Sequence, residues 1–180
     1  MERQEVQESQ QKYTLRQAFD VAIESVLSSH KTFKPNLKVD VGDKPTVSAG
    51  ELVVLADVMR VALGNVDAHA NTRGAPKVRV VASVDDLKET LTIRCESDVG
   101  RGVRTSEVEK RLESIRDRIA EGSYVQVLRS EGGSGMMRLA NLVRQSSLGR
   151  LEFGFENDSK FVIEVDLSFF VIPDSRKALP

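Results

Sequence analysis

The sequence predicts an α+β fold: a two-layer α/β sandwich whose mixed, mostly antiparallel sheet carries its helices on one face. Three observations lead there. Segments with apolar residues at helical spacing and segments with period-two alternation follow one another as helix-strand-helix-strand-strand-helix-helix-strand-strand. Two strand pairs are joined by short polar turns, near Asp85-Asp86 and at Asn157-Asp158-Ser159, which marks them as hairpins. The chain of 180 residues, 40% hydrophobic and 29% charged, is long enough for one domain with a core of its own.

Residues 1–13 are polar, Glu/Gln-rich and without apolar period, and read as a lead-in or a partner-docking tail. The single domain is expected over 14–172, with a disordered tail over 173–180. Leu15, Phe19, Ala22 and Val26 share one helical face, and that helix ends before the Lys31–Pro35 turn. Leu37, Val39 and Val41 alternate as a half-buried strand closed by Gly42-Asp43-Lys44-Pro45. Ser48-Ala49-Gly50-Glu51 fits a capping box, with Ser48 and Glu51 each satisfying the other's free backbone donor. Behind it Leu52, Leu55, Ala56, Met59, Leu63 and Val66 form the stripe of a long core helix reaching about His69.

Val78, Val80, Ala82 and Val84 predict a strand, and Leu91, Ile93 and Cys95 its antiparallel neighbour, which runs into Ser97-Asp98-Val99-Gly100-Arg101-Gly102. A second capping box, Ser106 to Glu109, opens a helix with Val108, Leu112, Ile115 and Ile119 on one narrow face, and Gly122 is placed to end it. Val125 and Val127 suggest a short extended piece. Then Gly132-Gly133-Ser134-Gly135 runs straight into a helix with Met136, Leu139, Ala140 and Val143 in phase. A glycine loop at a helix N-terminus presents unpaired N–H groups and the positive end of the helix dipole, a setting that stabilises a phosphate. The same pattern also serves as a plain turn needing positive φ. Leu151, Phe153 and Phe155 pair with Phe161, Ile163 and Val165 in a closing hairpin that runs on to Leu167 and Phe169.

Composition excludes several classes. A formal net charge of -1 argues against a broad nucleic-acid or anionic-membrane surface. Cys95 is the only cysteine and His30 and His69 the only histidines, so neither a disulfide framework nor a thiolate or His-rich metal centre is expected. No apolar run of about 18 residues exists and the N-terminus is not signal-like, so the cytoplasm is the expected compartment.

The order of elements, together with Leu63-Gly64-Asn65-Val66-Asp67-Ala68-His69-Ala70, Asp98-Val99-Gly100-Arg101-Gly102 and Gly132-Gly133-Ser134-Gly135, resembles the GHKL nucleotide-binding superfamily over roughly Leu15 to Phe169. That superfamily groups gyrase, heat-shock chaperone, histidine kinase and mismatch-repair ATPase domains. The resemblance implies ATP and Mg²⁺ as ligands. It gives Asn65 to the metal and places His69, one turn on, beside it. It gives Asp98 to the adenine amino group, with Gly100 and Gly102 letting backbone approach the nucleotide, and gives Gly132, Gly133, Ser134 and Gly135 to the β- and γ-phosphates. Residues 103–130 would form the ATP lid, with Arg101, Arg104 and Arg129 at its ends as phosphate partners or as solvated surface residues. Read without the family, Asn65 is a polar residue near a helix end and His69 a last-turn histidine interacting with the dipole.

Two departures stand out. Members that hydrolyse ATP carry a general-base carboxylate four residues before the asparagine, and here that position is Val61, which cannot accept a proton from water. The alternation of Leu91, Ile93 and Cys95 puts Ser97 rather than Asp98 on the inner face, so either a one-residue bulge realigns Asp98 or Ser97 faces the pocket. The resemblance therefore implies an ATP–Mg²⁺-binding domain of histidine-kinase-like type, a regulatory or signalling module with weak or no hydrolysis and no catalytic residue of its own, acting with a protein partner. The other reading is a degenerate relative that has lost the nucleotide and serves as a protein-interaction module.

Overall fold

The computed structural model describes residues 12–72, 74–122, 135–146 and 149–168. Among them the elements run β1 (Lys12–Thr14), α1 (Leu15–Ser29), β2 (Asn36–Val41), β3 (Thr46–Ser48), α2 (Ala49–His69), β4 (Lys77–Asp85), β5 (Thr90–Asp98), α3 (Ser106–Ala120), α4 (Gly135–Arg144), β6 (Arg150–Asn157) and β7 (Lys160–Ser168). Five strands form one sheet in the order β2-β4-β5-β7-β6, and the small pair β1-β3 stands apart from it. Only β2 and β4 run parallel, a pairing that needs a long crossover, which α2 supplies. The predicted α+β sandwich is the fold observed.

Helix starts follow from local chemistry. At α2, Ser48 N–H donates to Glu51 Oε2 at 2.5 Å while Glu51 N–H donates to Ser48 Oγ at 3.3 Å, closing the predicted capping box. At α1 the same reciprocity joins Thr14 and Gln17, a box the sequence reading passed over. Leu15, Phe19, Ala22 and Val26 of α1 and Leu55, Met59, Leu63 and Val66 of α2 are buried in one core with Val80, Ile93, Ile163 and Val165 of the sheet. Removing a side chain such as Phe19 or Leu63 from water contributes roughly 1.5–3 kcal/mol each.

Two expectations are corrected. Lys12 and Tyr13, read as part of the lead-in, belong to β1, which pairs with β3 from Lys12↔Ser48 to Thr14↔Thr46. Strands of three residues are too short to show a period. The cap of α3 is Thr105, whose side chain accepts from Val108 N–H at 3.2 Å; Glu109 is drawn away to Arg104 at 2.7 Å, so no Ser106–Glu109 box forms. The Val125–Val127 piece, the Phe169 end of the hairpin and the 173–180 tail lie outside the described residues.

The hairpins form as expected, with Leu151, Phe153 and Phe155 opposite Val165, Ile163 and Phe161. The Asp85 turn is held by Asp85 Oδ1 accepting from the N–H groups of Leu87 and Lys88, both at 3.1 Å. The sheet face away from the helices carries an ion network. Arg94 reaches Glu96, Glu156 and Glu164 at 2.8, 2.8 and 3.0 Å, and Arg150 reaches Glu164 and Asp166 at 2.7 and 2.8 Å. Hydrogen bonds to Glu96 first and Glu164 next raise the Arg94 guanidinium further above its ordinary range. The Arg94 bond likewise pulls Glu96 below the usual carboxylate range against its partial desolvation. Among the described residues no helix is long and apolar enough to cross a membrane.

Candidate functional site

A cavity of about 250 Å³ opens where α2, β5, α3 and the start of α4 converge. From the last two turns of α2 come Asn65, Val66, His69 and Ala70, one face of the helix by their i, i+1, i+4, i+5 spacing. The inner row of β5 ends at Ser97, and Val99 and Val103 follow from the loop beyond it. The predicted narrow face of α3 roofs the space with Val108, Leu112 and Ile115, and Arg111 stands beside them. Gly135 and Met136 close it from α4. The floor is Phe155 and Phe161, whose rings meet edge to face at 5.1 Å between centroids.

The lining is mostly apolar, and the described lining residues include no carboxylate. Asp67 is held outside by His30, at 2.9 Å, and Asp57 by Arg60, at 3.2 Å. Arg111 supplies the lining with a permanent positive charge, and His69 stands at the end of α2. An aromatic floor, an aliphatic roof and a cationic rim suit a flat apolar group joined to an anion.

Four of the residues singled out in the sequence meet here: Asn65, His69, Ser97 and Gly135. Gly132, Gly133 and Ser134 lie outside the described residues. The choice between Ser97 and Asp98 is decided by the strand register. β5 pairs without a shift on both sides, Ser97 opposite Val78 and Phe161 and Asp98 opposite Lys160, so no bulge turns Asp98 inward. Ser97 is only 5% exposed and lines the cavity. Asp98, one residue out of phase, borders a groove with Lys38, Lys77, Arg79 and Lys160, and Ser97 borders that groove as well.

Gly100 and Gly102 are not among the lining residues, and their need for glycine has other causes. Gly100 N–H donates to Ala70 O at 2.6 Å, tying the loop to the end of α2, and a Cβ there would lie 2.0 Å from Asn71 O. Gly102 has φ +80° with open space around it, a turn requirement. Gly135 does both kinds of work. It lines the cavity, and a Cβ on it would lie 2.8 Å from Val61 Cγ1, so its bareness lets α4 approach α2 closely. Val61 thus packs against Gly135 and lines a separate groove between α2 and α4 with Val54, Asp57 and Leu142. It is a packing residue in the position where a general base would stand.

Within the described part of the expected lid, α3 is anchored at both ends of its inner face. Arg104 pairs with Glu109 and Asp158, at 2.7 and 3.2 Å, and sits 5.8 Å over the Phe155 ring, which takes it away from a role toward an anion. Arg116 donates from Nη2 to Phe153 O at 2.8 Å and lies 5.3 Å over that ring. Arg111 and the aromatic floor were missed from sequence. The cross-strand Phe155–Phe161 pair was readable, but not which helix would face it.

Cys95 lies two residues before Ser97 and is fully enclosed, and burial first, with nearby Glu96 second, pushes its thiol up to about 12. Burial thus leaves it almost wholly as the thiol at neutral pH. Among the described residues no group of three or more His, Cys, Asp or Glu side chains is arranged to hold a metal ion.

Comparison with known proteins bears on the fold and the family. The family model Y4jQ_C, described as the y4jQ C-terminal putative histidine kinase domain, matches residues 14–170. A search of curated proteins by sequence returns no match. Among solved structures, the chain is similar to the catalytic domain of histidine kinase ThkA, with TM-score 0.59 and 8% identity over 88% of this chain and 95% of that one. It is similar to the Acinetobacter baumannii histidine kinase AdeS, with TM-score 0.57 and 11% identity over 89% and 67%. A third likeness is to the histidine kinase domain of the Erythrobacter litoralis EL346 blue-light activated histidine kinase, with TM-score 0.54 and 19% identity over 84% and 59%. At these identities the structural matches establish the fold, and the family match goes further: the chain belongs to the family described as the y4jQ C-terminal putative histidine kinase domain, within the GHKL superfamily.

Proposed function

We propose that this domain binds ATP with Mg²⁺ in the cavity between α2 and α3 and works as a regulatory or signalling module with weak or no hydrolysis. The observation that carries the reading is the convergence of Asn65 and His69, Ser97 and the Gly135 helix start on one aromatic-floored cavity without a carboxylate. The purine would lie against Phe155 and Phe161, with its polar edge toward Ser97. The phosphates would extend toward Gly135 and the residues that precede it, where helix N–H groups and Arg111 favour negative charge.

The residues present fit Mg²⁺ in one way only. Asn65 offers a single amide oxygen, and Mg²⁺ is commonly held by one or two protein ligands together with phosphate oxygens and waters. When bound, the ion would neutralise phosphate charge. Asn65 would orient it, and Mg²⁺ without nucleotide would find no site. With Val61 in the base position the described cavity holds no carboxylate to take a proton from water, so slow turnover or none is expected. Phosphoryl transfer would need an acceptor group from outside the described cavity.

Titration calorimetry with ATP, with and without Mg²⁺, tests this on wild type and Asn65→Ala. Binding that strengthens with Mg²⁺ only when Asn65 is present supports the reading; no binding at millimolar ATP would leave the domain an interaction module. That second reading is favoured by one observation, the outward placement of Asp98.

A further inference from the structure

Ser97 is a group the cavity has to account for. It is 5% exposed, and its neighbours in the strand register, Val78 and Phe161, offer its side chain no polar atom. Among the described residues its hydroxyl has no hydrogen-bond partner, and it lines the cavity. The other buried polar residue among those described, Thr90, is at the far end of β5 and donates to Lys88 O at 3.1 Å. A buried hydroxyl without a partner is costly, and one aimed into a cavity is satisfied by what enters it.

What a hydroxyl accepts differs from what a carboxylate accepts. A carboxylate is an acceptor only, so it pairs with a 6-amino group and repels a 6-oxo group. A hydroxyl rotates, donating to one and accepting from the other. Strong discrimination between such ligands arises when the wrong one leaves a buried group unpaired, and neither purine does that to Ser97. We infer that Ser97 makes this cavity indifferent to the group at purine C6, so that it takes 6-amino and 6-oxo purine nucleoside triphosphates alike. This rests on the nucleotide reading above and deepens it.

The test is a titration of Mg²⁺–ATP and Mg²⁺–ITP, which differ at the C6–N1 edge alone, into wild type, Ser97→Asp and Ser97→Ala. Wild type is expected to bind the two within about threefold of each other, and Ser97→Asp to favour ATP by about tenfold or more. Should Ser97→Asp fail a thermal-unfolding check, Ser97→Ala decides: both nucleotides weaken together and their ratio stays within about threefold. A wild-type preference for ATP of tenfold or more overturns the inference while leaving nucleotide binding intact. So does a Ser97→Ala protein whose preference shifts by that much. If neither nucleotide binds at millimolar concentration, it is the nucleotide reading that fails, and the inference goes with it.

Discussion

The two faces of β5 differ in charge and in access to water. Ile93, Cys95 and Ser97 look toward the helices and are all but inaccessible, while Arg94, Glu96 and Asp98, one residue out of step, look the other way. The outward face holds an ion network and a basic groove around Asp98. The inward one ends in a single hydroxyl beside an apolar cavity. A one-residue difference in phase thus separates all the charge of this strand from the candidate site. A strand repeats every two residues, so a motif that matches in spelling points its carboxylate to the wrong side unless a bulge intervenes, and none does.

The largest effect is expected from carrying charge across. Cys95→Asp places a carboxylate where the described neighbours offer no cation, and stability should fall by roughly 3–5 kcal/mol, read by urea unfolding. A loss below 1 kcal/mol would show that the inner face is wetter than its burial indicates.

Next comes the outer network. Arg94→Met leaves Glu96, Glu156 and Glu164 without their shared cation, and about 1–3 kcal/mol should be lost, the partial exposure of the cluster keeping it from more. The same variant sharpens the pH behaviour. Glu96 is held below its ordinary value of 4.5, chiefly by the Arg94 hydrogen bond, so the folded chain keeps it ionised where the unfolded chain binds a proton. That contribution is fully present above the ordinary value and is lost as pH falls through the lowered one. Unfolding measured between pH 6 and pH 3 should therefore show a shallower loss of stability in Arg94→Met than in wild type, at roughly pH 4.5 and below. Equal slopes would remove Glu96 from the account.

A smaller readout is thiol reactivity. With its thiol pushed up to about 12, Cys95 should resist a thiol-specific reagent at pH 8 in the folded protein and react on unfolding.

Much of the fold was legible because its signals are local. The Ser48–Glu51 box, the α2 stripe and both hairpins need only residues a few positions apart, and each formed. What escaped depends on distance or on single steps. β1 and β3 are too short to alternate visibly, and Thr105 and Ser106 are adjacent residues that can both cap a helix, so geometry chooses between them, here for the weaker capper Thr105. For the site, Asn65, His69, Ser97 and Gly135, named from their motifs, line one cavity. The sequence left Ser97 and Asp98 undecided because a bulge depends on both flanking strands. The close approach of Gly100 to Asn71 is a long-range fact that no local pattern carries. Arg111 carried no signal of its own, lying just off the apolar face of α3.

The most direct test sets the two faces against each other in one calorimetric series, titrating Mg²⁺–ATP into wild type, Asn65→Ala and Asp98→Ala. The account predicts that Asp98→Ala binds within about twofold of wild type, because a surface substitution on the far side of the sheet is close to neutral, and that Asn65→Ala loses the Mg²⁺ dependence. Loss of binding in Asp98→Ala with Asn65→Ala unaffected would contradict it.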